Sequence, residues 1–545
     1  MVSSASQEAT GSATQWVKGE IDVVTEAASG VALGELQEAL AALPRRRTQA
    51  LPALHLVDEV FGFLDYSALE EVAKWIHMPR AELFAVATSY TEFRWHPLAS
   101  DSVRVCRGMS CQIAAGESAA EGEAHECMFL CAAAVDGAMA VHGSGRIEAS
   151  VDDSVIEAAR AIVPGGLTRV TRRRTGSSAG WRGWETASRL SPSEALALVR
   201  ESGLLGRGGA YFPVHLKWGG AVEASSRNGQ PLLVANGEEG EPGTFKDRWL
   251  MESDPQRILE GIRIACHVLG ASEAYWYING MADRSAAAAT EAIEAATASG
   301  LIDGVNVEIR RGAGGYVCGE ESVILESIEG RRAVPRLKPP YPTERGLWGR
   351  PTAINSVETL ANVPDIFEFG ADWFREVGAE GMPGTKLIQL SGAFRNRGVV
   401  ELPLGTSVAR IVEVGEPSAP LAGVTMGGPS GGFLSAENLD TPIAPGAMDG
   451  HGALLGAGGI IAIPRSFGIE RALAVWAEYN ANESCGKCTP CREGSGRMAS
   501  ALAEGNWADV EALIPLISAG SLCGLGQMAP NPVTSARHQF GGSVV

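Results

Sequence analysis

Apolar positions recur every three or four residues through the first part of the chain, and the period then changes. In LPALHLVDEVFGFL (51–64), Leu51, Leu54, Val57, Val60 and Phe61 fall on one helical face. SALEEVAKWIHM (67–78) and RAELFAVATSY (80–90) repeat the pattern, with Ser67 and Pro79 as start signals. The spacing predicts a small helical bundle. Beyond it the apolar runs shorten to VRV, within SVRVCRGMSCQIAAGE (102–117), and AMAVHG (138–143), both of strand type.

From residue 194 helix and strand patterns alternate. EALALVRESGLLG (194–206) reads as a helix ending at glycine, PLLVA (231–235) as a strand and PQRILEGIRIACHVLG (255–270) as an amphipathic helix. AYWYING (274–280), ADRSAAAATEAIEAATASG (282–300) and VNVEIRRG (305–312) continue the series. Alternation of this kind predicts a parallel sheet wound with helices. TKLIQLSGAFRNRGVVELPLGTSVARIVEVG (385–415) carries short strands, a turn and a helix. GGPSGGFL (427–434) and GAGGIIAIP (456–464) read as links from it to the last helices, RALAVWAEYNANESC (471–485) and NWADVEALIPLISAGS (506–521).

Length and composition narrow the class. At 545 residues the chain is too long for one core, so three or four domains are expected. A hydrophobic content of 45% with 20% charged residues describes a soluble globular protein. A net charge of −19 argues against nucleic acid or an anionic membrane as the main partner. No apolar run reaches the roughly 18–20 residues of a membrane helix, the longest, Leu454–Ile463, being broken by glycines. The first twenty residues lack a basic segment followed by an apolar one, so no signal peptide is expected. Eight of the ten cysteines lie in two clusters, which points to metal ligands in a reducing cytoplasm.

The C-terminal cluster is ESCGKCTPCREG (483–494), with Cys485, Cys488 and Cys491 at C-x2-C-x2-C spacing and Cys523 further on in SLCGLG. Thiolates this close need a cation, and the triplet repeats the start of the ferredoxin pattern that holds a [4Fe–4S] cluster. A four-cysteine zinc site is the competing possibility. The N-terminal cluster pairs Cys106 with Cys111 (C-x4-C) and Cys127 with Cys131 (C-x3-C), right in number and placement for a [2Fe–2S] cluster. The alternative there is a set of small buried apolar residues.

Two other stretches carry binding chemistry. GRGGAYFP (206–213) is a turn whose glycines let backbone N–H groups approach an anion. PLLVANGEEGEPGTFKDR (231–248) runs from an apolar strand into Asn236, Glu238, Glu239 and Glu241, at the strand edge where α/β folds bind ligands. GAGGYVCGEESVILESIEGRR (312–332) adds a second glycine turn leading into Glu320 and Glu321, and KPPYP (338–342) holds Tyr341 in irregular structure. Cys266 and Cys318 stand alone and read as packing residues. The basic, Gly/Ser-rich stretch 164–192 reads as a linker.

The N-terminal helices followed by C-x4-C and C-x3-C resemble the thioredoxin-like [2Fe–2S] subunit of respiratory complex I over about residues 50–160. Two features depart from that pattern: only 15 residues separate Cys111 from Cys127, and the second pair is usually followed by small, Gly-rich residues where this chain has CMFLCAAAV. GRGGAYFPVHLKW, NGEEGEPGTFKDR, GAGGYVCGEES, PRLKPPYP, INSVET and the C-terminal cysteine motifs resemble, in order, the NADH-binding flavoprotein subunit of complex I. The same module is similar to the diaphorase subunits of NAD-dependent formate dehydrogenases and NAD-reducing hydrogenases.

The resemblance implies an α/β multi-domain chain with distinct parts. These are a disordered tail (1–30), a helical plus thioredoxin-like [2Fe–2S] domain (31–163) and the linker (164–192). A Rossmann-like FMN/NAD domain (193–370), a small ubiquitin-like β-grasp insert (371–440) and a helical [4Fe–4S] domain (441–545) follow. It further implies that Gly206, Arg207, Gly208 and Lys217 embrace the phosphate side of FMN, with Asn236, Glu238, Tyr316, Asn355 and Ser356 beside the flavin. Glu239, Glu241, Glu320 and Glu321 would line the NADH side, with Phe212, Tyr341 and Lys338 around the adenine and ribose. Tyr211, at a position where the family has glycine, is expected to narrow the pocket; Val214-His215 and Ser356 are further local departures.

NADH gives two electrons at once and a cluster takes one, and a flavin bridges the two. The expected activity is therefore an NADH:acceptor oxidoreductase (diaphorase), or its reverse, with no catalytic side chain beyond those that position the cofactors. Like-charge repulsion at Glu241 predicts NAD over NADP. Fusion of the two modules places a formate dehydrogenase partner first, a hydrogenase second and complex I third. A non-catalytic scaffold with a degenerate cofactor site is the rival of another class, favoured by Tyr211 and Ser356.

Overall fold

The computed structural model describes residues 30–541 apart from 117–120, 135–136, 144–145 and 173–179. The tail expected over 1–30 lies, but for Gly30, outside the described residues. The molecule is a mixed α/β, multi-domain structure whose separate cores meet at the glycine-rich loops.

Helices Gly30–Leu40, Ala50–Phe61, Tyr66–Trp75 and Arg80–Ala87 form the expected bundle. Asp65, rather than Ser67, starts the third by accepting from the N–H groups of Ser67 and Ala68. The bundle does not stand free. Its apolar faces pack on Ala313, Val317, Cys318 and Val323, and His55 bonds the carbonyl of Gly312 at 2.7 Å. It is therefore the outer wall of the second glycine turn.

The cysteine domain that follows is built on three short strands, β1 (Val103–Cys106), β2 (Glu123–His125) and β3 (Ala140–His142). β1 is central, parallel to β2 and antiparallel to β3. Its four cysteines are buried in the same apolar cluster as the helices of the next domain, so the two share a core.

That next domain has a fully parallel four-stranded sheet: β4 (Leu232–Gly237), β5 (Glu273–Ile278), β6 (Asn306–Arg311) and β7 (Thr352–Ser356), in the order β6-β5-β4-β7. The near-continuous burial of β4 and β5 is what a sheet covered on both faces requires. Both candidate loops leave the carboxyl ends of these strands: 236–241 follows β4 and 312–321 follows β6. Helix Pro192–Ser202 begins with a capping box between Ser191 and Glu194 and ends at Gly203 in the left-handed region, three residues before the glycine expected.

A second sheet has the order β11-β10-β14-β12-β13, with short β8 (Gly378–Ala379) and β9 (Met382–Pro383) pairing beside it. Its members are β10 (Thr385–Gly392), β11 (Gly398–Pro403), β12 (Leu421–Met426), β13 (Gly432–Ser435) and β14 (Gly459–Pro464). β14 is the central strand, parallel to β10 and antiparallel to β12. The insert thus runs past the boundary expected at 440, and GAGGIIAIP is core rather than link. Its apolar run IIAI is buried on both faces, which a short connecting strand would not need. Five helices between Ile469 and Phe540 close the chain.

The stretch expected to be a linker is also largely packed. Val163 N–H donates to Val399 O and Leu167 N–H to Glu401 O. The buried Glu401 carboxylate accepts from Val170 N, Thr171 N and Thr171 Oγ1 at 2.9 Å and from Thr385 Oγ1 at 2.6 Å. Helix Arg182–Ala187 then lies against helices Pro255–Leu269 and Val357–Phe369. Replacing Glu401 by Ala strands several buried donors and is expected to cost about 3 kcal/mol. Urea unfolding measures the loss and limited trypsin digestion after Arg172 locates it; an unchanged midpoint with unchanged cleavage would remove this role.

Candidate cofactor and electron-transfer site

Loop 206–213 joins helix Pro192–Ser202 to helix Val214–Asn228. Gly206 N–H closes it on Phe212 O at 3.0 Å. A Cβ on Gly208 would come 3.3 Å from that of Ser356, and one on Gly209 3.2 Å from the backbone of Gly456, so glycine there allows three loops to meet. Arg207 turns away from this junction. Its fully buried guanidinium donates to the carbonyls of Leu205, Pro383 and Thr385 at 2.8–2.9 Å, tying the loop to the insert. The Arg207 side chain, in the stretch expected beside FMN, thus fixes the loop from behind. Tyr211 takes φ +52, and its ring packs in the core of the insert with its hydroxyl on Gly456 O.

Around the ends of β4 and β7, Asn236 holds Gly319 O and accepts from Glu238 N, while Asn355 accepts from Trp218 Nε1 at 2.8 Å. Ser356 caps helix Val357–Phe369. Lys217 donates to Ile354 O at 2.9 Å and lies 3.4 Å from Glu321. Lys338 completes a chain of charges, 2.7 Å from Glu320 and 2.8 Å from Glu321. Glu320 also caps helix Glu321–Ile328. Phe212 and Tyr341 stand at 49% and 53% exposure, two large aromatic faces open to solvent. Lys217, Lys338, Glu320, Glu321 and these rings are the open, polar side of the site.

The remaining carboxylates lie deeper. Glu239, expected on the NADH side, accepts from the N–H groups of Asp247 and Arg248 at 2.9 and 3.1 Å, and so serves as a helix cap beneath the loop. Glu241 packs against Gly428 and Gly456, where a Cβ would strike it; burial pushes its carboxyl up to about 7. Glu238 accepts from Asn279 at 2.5 Å through one oxygen, and its other oxygen is buried with no hydrogen-bond partner among the described residues. Burial pushes it up to about 8. An orphaned buried oxygen beside a glycine cradle is what a pocket shaped for a polar ring would leave. Tyr316 donates its hydroxyl to Ser430 Oγ at 3.0 Å and its N–H to Glu483 at 2.7 Å. The described residues here fit a flavin nucleotide.

Several residues under this site carry no signal of their role in the sequence. Lys246 and Lys386 have no exposure and both pair with Glu358; Lys246 is 3.3 Å away. Burial would raise the Glu358 carboxyl, but the two ammonium groups more than reverse this and hold it below its ordinary range. Lys386 lies on β10, where a strand lysine reads as an edge residue; only its neighbourhood reveals it.

The cysteines gather in two groups. Cys127 and Cys131 have their sulfurs 4.0 Å apart, and Cys106 contacts both Cys111 and Cys127, which draw its thiol well below the ordinary range. Gly108 and Phe129 direct their N–H groups at Cys106 Sγ and Cys127 Sγ, each at 3.4 Å. No three His, Cys, Asp or Glu among the described residues close on one point as a single ion demands. Four buried thiols, adjoining one another and supplied with backbone donors, suit the wider span of a two-iron cluster.

Cys485, Cys488, Cys491 and Cys523 form the second group, half-buried. Cys488 and Cys523 each stand at the start of a helix, and Leu522 N–H points at Cys488 Sγ at 3.5 Å, so N–H groups face the place an anionic cluster would fill. Both groups meet at one helix end. Tyr479 reaches Gly240 O of the carboxylate loop, Asn482 donates to Glu126 beside Cys127, and Glu483 accepts from Tyr316 two residues before Cys485.

Comparison with known proteins agrees with this geometry. Family models match as the Nuo51 FMN-binding domain over residues 199–365, the thioredoxin-like [2Fe–2S] ferredoxin over 36–132, and the NADH-ubiquinone oxidoreductase-F iron-sulfur binding region over 471–544. An NADH-quinone oxidoreductase subunit of Rhizobium meliloti is 41% identical across 64% of this chain and 87% of its own. The HndC subunit of an NADP-reducing hydrogenase from Solidesulfovibrio fructosivorans is 35% identical across 66% and 77%. A chain of an NAD+-reducing [NiFe]-hydrogenase, solved in the H2-reduced state, superposes with a TM-score of 0.77 at 28% identity and 92% coverage of both chains. The chain belongs to the NADH-quinone oxidoreductase family of Nuo51-type subunits, as an NADH dehydrogenase-type oxidoreductase subunit with FMN, [2Fe–2S] and [4Fe–4S] domains.

Proposed function

We propose that this chain is the NADH-handling module of a larger redox complex, joining a dinucleotide site to two iron–sulfur outlets. The observation that carries this is the helix end at Tyr479–Glu483, which bonds the carboxylate loop, the second glycine turn and Glu126 next to Cys127, and leads directly into Cys485. Bound FMN supplies exchange between a hydride from NADH and single electrons. The backbone of Gly206 and Gly208 would cradle its phosphate with Lys217, while Asn236, Glu238, Asn355 and Tyr316 orient the ring. Phe212 and Tyr341 offer stacking faces to adenine, and Lys338 with Glu320 and Glu321 holds the ribose end. Carboxylates on the open side repel an added 2′-phosphate, which supports NADH over NADPH; Glu321 serves that purpose better than the deeper Glu241.

The partner carries the donor chemistry. Fusion of the flavoprotein and [2Fe–2S] modules in one chain supports a formate dehydrogenase type. The full-length likeness to the NAD+-reducing hydrogenase chain supports a hydrogenase type as the second reading. No helix of the described residues is long and apolar enough to cross a membrane, and all ten cysteines are unpaired; both support a cytoplasmic site of action. The complex, captured through this chain, is expected to carry a flavin band, NADH–ferricyanide activity and about six irons for this chain, the sum of one cubane and one two-iron cluster. Molybdenum or tungsten in it identifies the formate type and nickel the hydrogenase type. A colourless protein containing zinc would overturn the function.

Lys217→Ala is expected to weaken FMN about tenfold or more, the loss of a charge-assisted hydrogen bond. Quenching of flavin fluorescence in a titration reads this directly, and an unaltered dissociation constant would remove Lys217 from the cradle.

In the flavin-free protein the raised carboxyls set a pH dependence. Glu238 at about 8, and Glu92 and Glu241 at about 7, hold protons that the unfolded chain releases near 4.5. Their stabilising effect is full below 4.5 and is lost as pH rises through 7–8. His55, lowered to about 3 by burial, acts the other way but only below its unfolded value of 6.5. The melting temperature should therefore fall between pH 6.5 and 8. Glu238→Gln keeps an acceptor for Asn279 without a proton to lose, and should flatten that fall; an equal slope in the variant would exclude Glu238 as a contributor.

A further inference from the structure

Phe129 lies between two cysteines, Cys127 and Cys131, and adopts φ +58, a conformation glycine reaches freely and a bulky side chain does not. Its backbone N–H donates to Cys127 Sγ, so this conformation belongs to the thiol cage itself. Its ring, nearly fully buried, carries the guanidinium of Arg248 on its face with Cζ 4.7 Å from the centroid. Arg248 comes from the other domain. It is 2% exposed, its N–H donates to Glu239, its Nη2 donates to Asn279 Oδ1 at 2.9 Å, and its Nε has no hydrogen-bond partner among the described residues. Asn279 in turn donates to Glu238. A buried cation is thus held against the loop that grips the thiols, at the end of a bonded path from the flavin side.

No carboxylate lies within ion-pair distance of that guanidinium among the described residues; the acids it acts on at longer range, Glu238 and Glu252, are raised by burial to about 8 and about 7, and Asn279 carries no charge. Its field therefore reaches the thiol cage through an apolar ring, with little water to screen it. One electron delivered from the flavin side adds one negative charge to the two-iron centre, and a fixed cation favours the reduced form. We propose that Arg248 is a positioning residue which, held in place by Phe129, biases the [2Fe–2S] centre toward reduction. The inference rests on the two-iron assignment made above. The ring at 129 is thus a platform for a cation from the flavin domain.

Redox titration of the intact protein, followed by the electron paramagnetic resonance signal of the reduced cluster, tests this. Arg248→Met is expected to shift the reduction equilibrium about tenfold toward the oxidised form, which for one electron is roughly 59 mV more negative. Arg248→Lys, keeping the charge, should stay within about threefold of the native protein. In a Phe129→Gly background the effect of Arg248→Met should fall to less than half, because the cation is no longer held over the cage. Equal shifts in the Met and Lys variants, or no shift in either with the signal intact, would overturn the inference alone. Absence of a two-iron signal from the native, iron-loaded protein would overturn the assignment beneath it as well.

Discussion

Glu358 sits between the ammonium groups of Lys246 and Lys386, all three buried away from the molecular surface. Each comes from a different segment: Glu358 from the helix after β7, Lys246 from the helix after the carboxylate loop, and Lys386 from β10 of the insert. The remaining oxygen of Glu358 accepts from Leu387 N, and Lys246 has a second partner in Asp247 at 2.6 Å. Such a cluster adds little net stability, since desolvation offsets most of the attraction. Its consequence is for geometry. Displacing any one segment leaves a bare charge in a dry core, at a cost of about 3–5 kcal/mol, so the three loops around the cofactor site hold one arrangement.

The carboxylate loop hangs from this floor. Glu239 caps the helix that begins at Lys246, and Gly428 and Gly456 leave room for the side chain of Glu241. Two kinds of acid result at the ends of neighbouring strands. Glu238 and Glu241, starved of water, keep protons near neutral pH, whereas Lys217 and Lys338 outweigh burial at Glu321 and lower its carboxyl below the ordinary range. The deep acids suit contact with an uncharged ring system, and the shallow, ion-paired ones suit exchange of a polar ligand that comes and goes.

Much of this is legible in the chain. The periodicity predicts the helical bundle and the parallel sheet, and the glycine–carboxylate blocks mark the loops at the ends of β4 and β6. What is not legible depends on long-range packing. Arg207 looks like part of a phosphate cradle because it stands between glycines, yet three carbonyls from the loop and the insert claim it. Glu239 is indistinguishable from Glu238 in sequence, but the helix following the loop needs an acceptor at one of them and takes it from Glu239. β14 reads as a connector because its partner strands lie tens of residues upstream, and pairing over such a separation leaves no local signal. Tyr211 reads as an obstruction; it is a side chain shared with another core.

Carrying the two-iron domain on the same chain changes what holds it in place. Its cysteines share an apolar cluster with the flavin domain, and Arg146, paired with Glu92 of its own domain, reaches across to Asp283 and Gly280 O. In a separate subunit, contacts of this kind would have to supply the whole free energy of association, including the loss of translational and rotational freedom. Within one chain that loss is largely removed, because tethering replaces bulk concentration by a local one in the millimolar range or above. The interface is then free to be shaped for charge rather than affinity. A guanidinium with no carboxylate at ion-pair distance among the described residues, pressed on the cysteine loop, costs desolvation that an interface selected for tight docking would avoid, and a tethered one tolerates it.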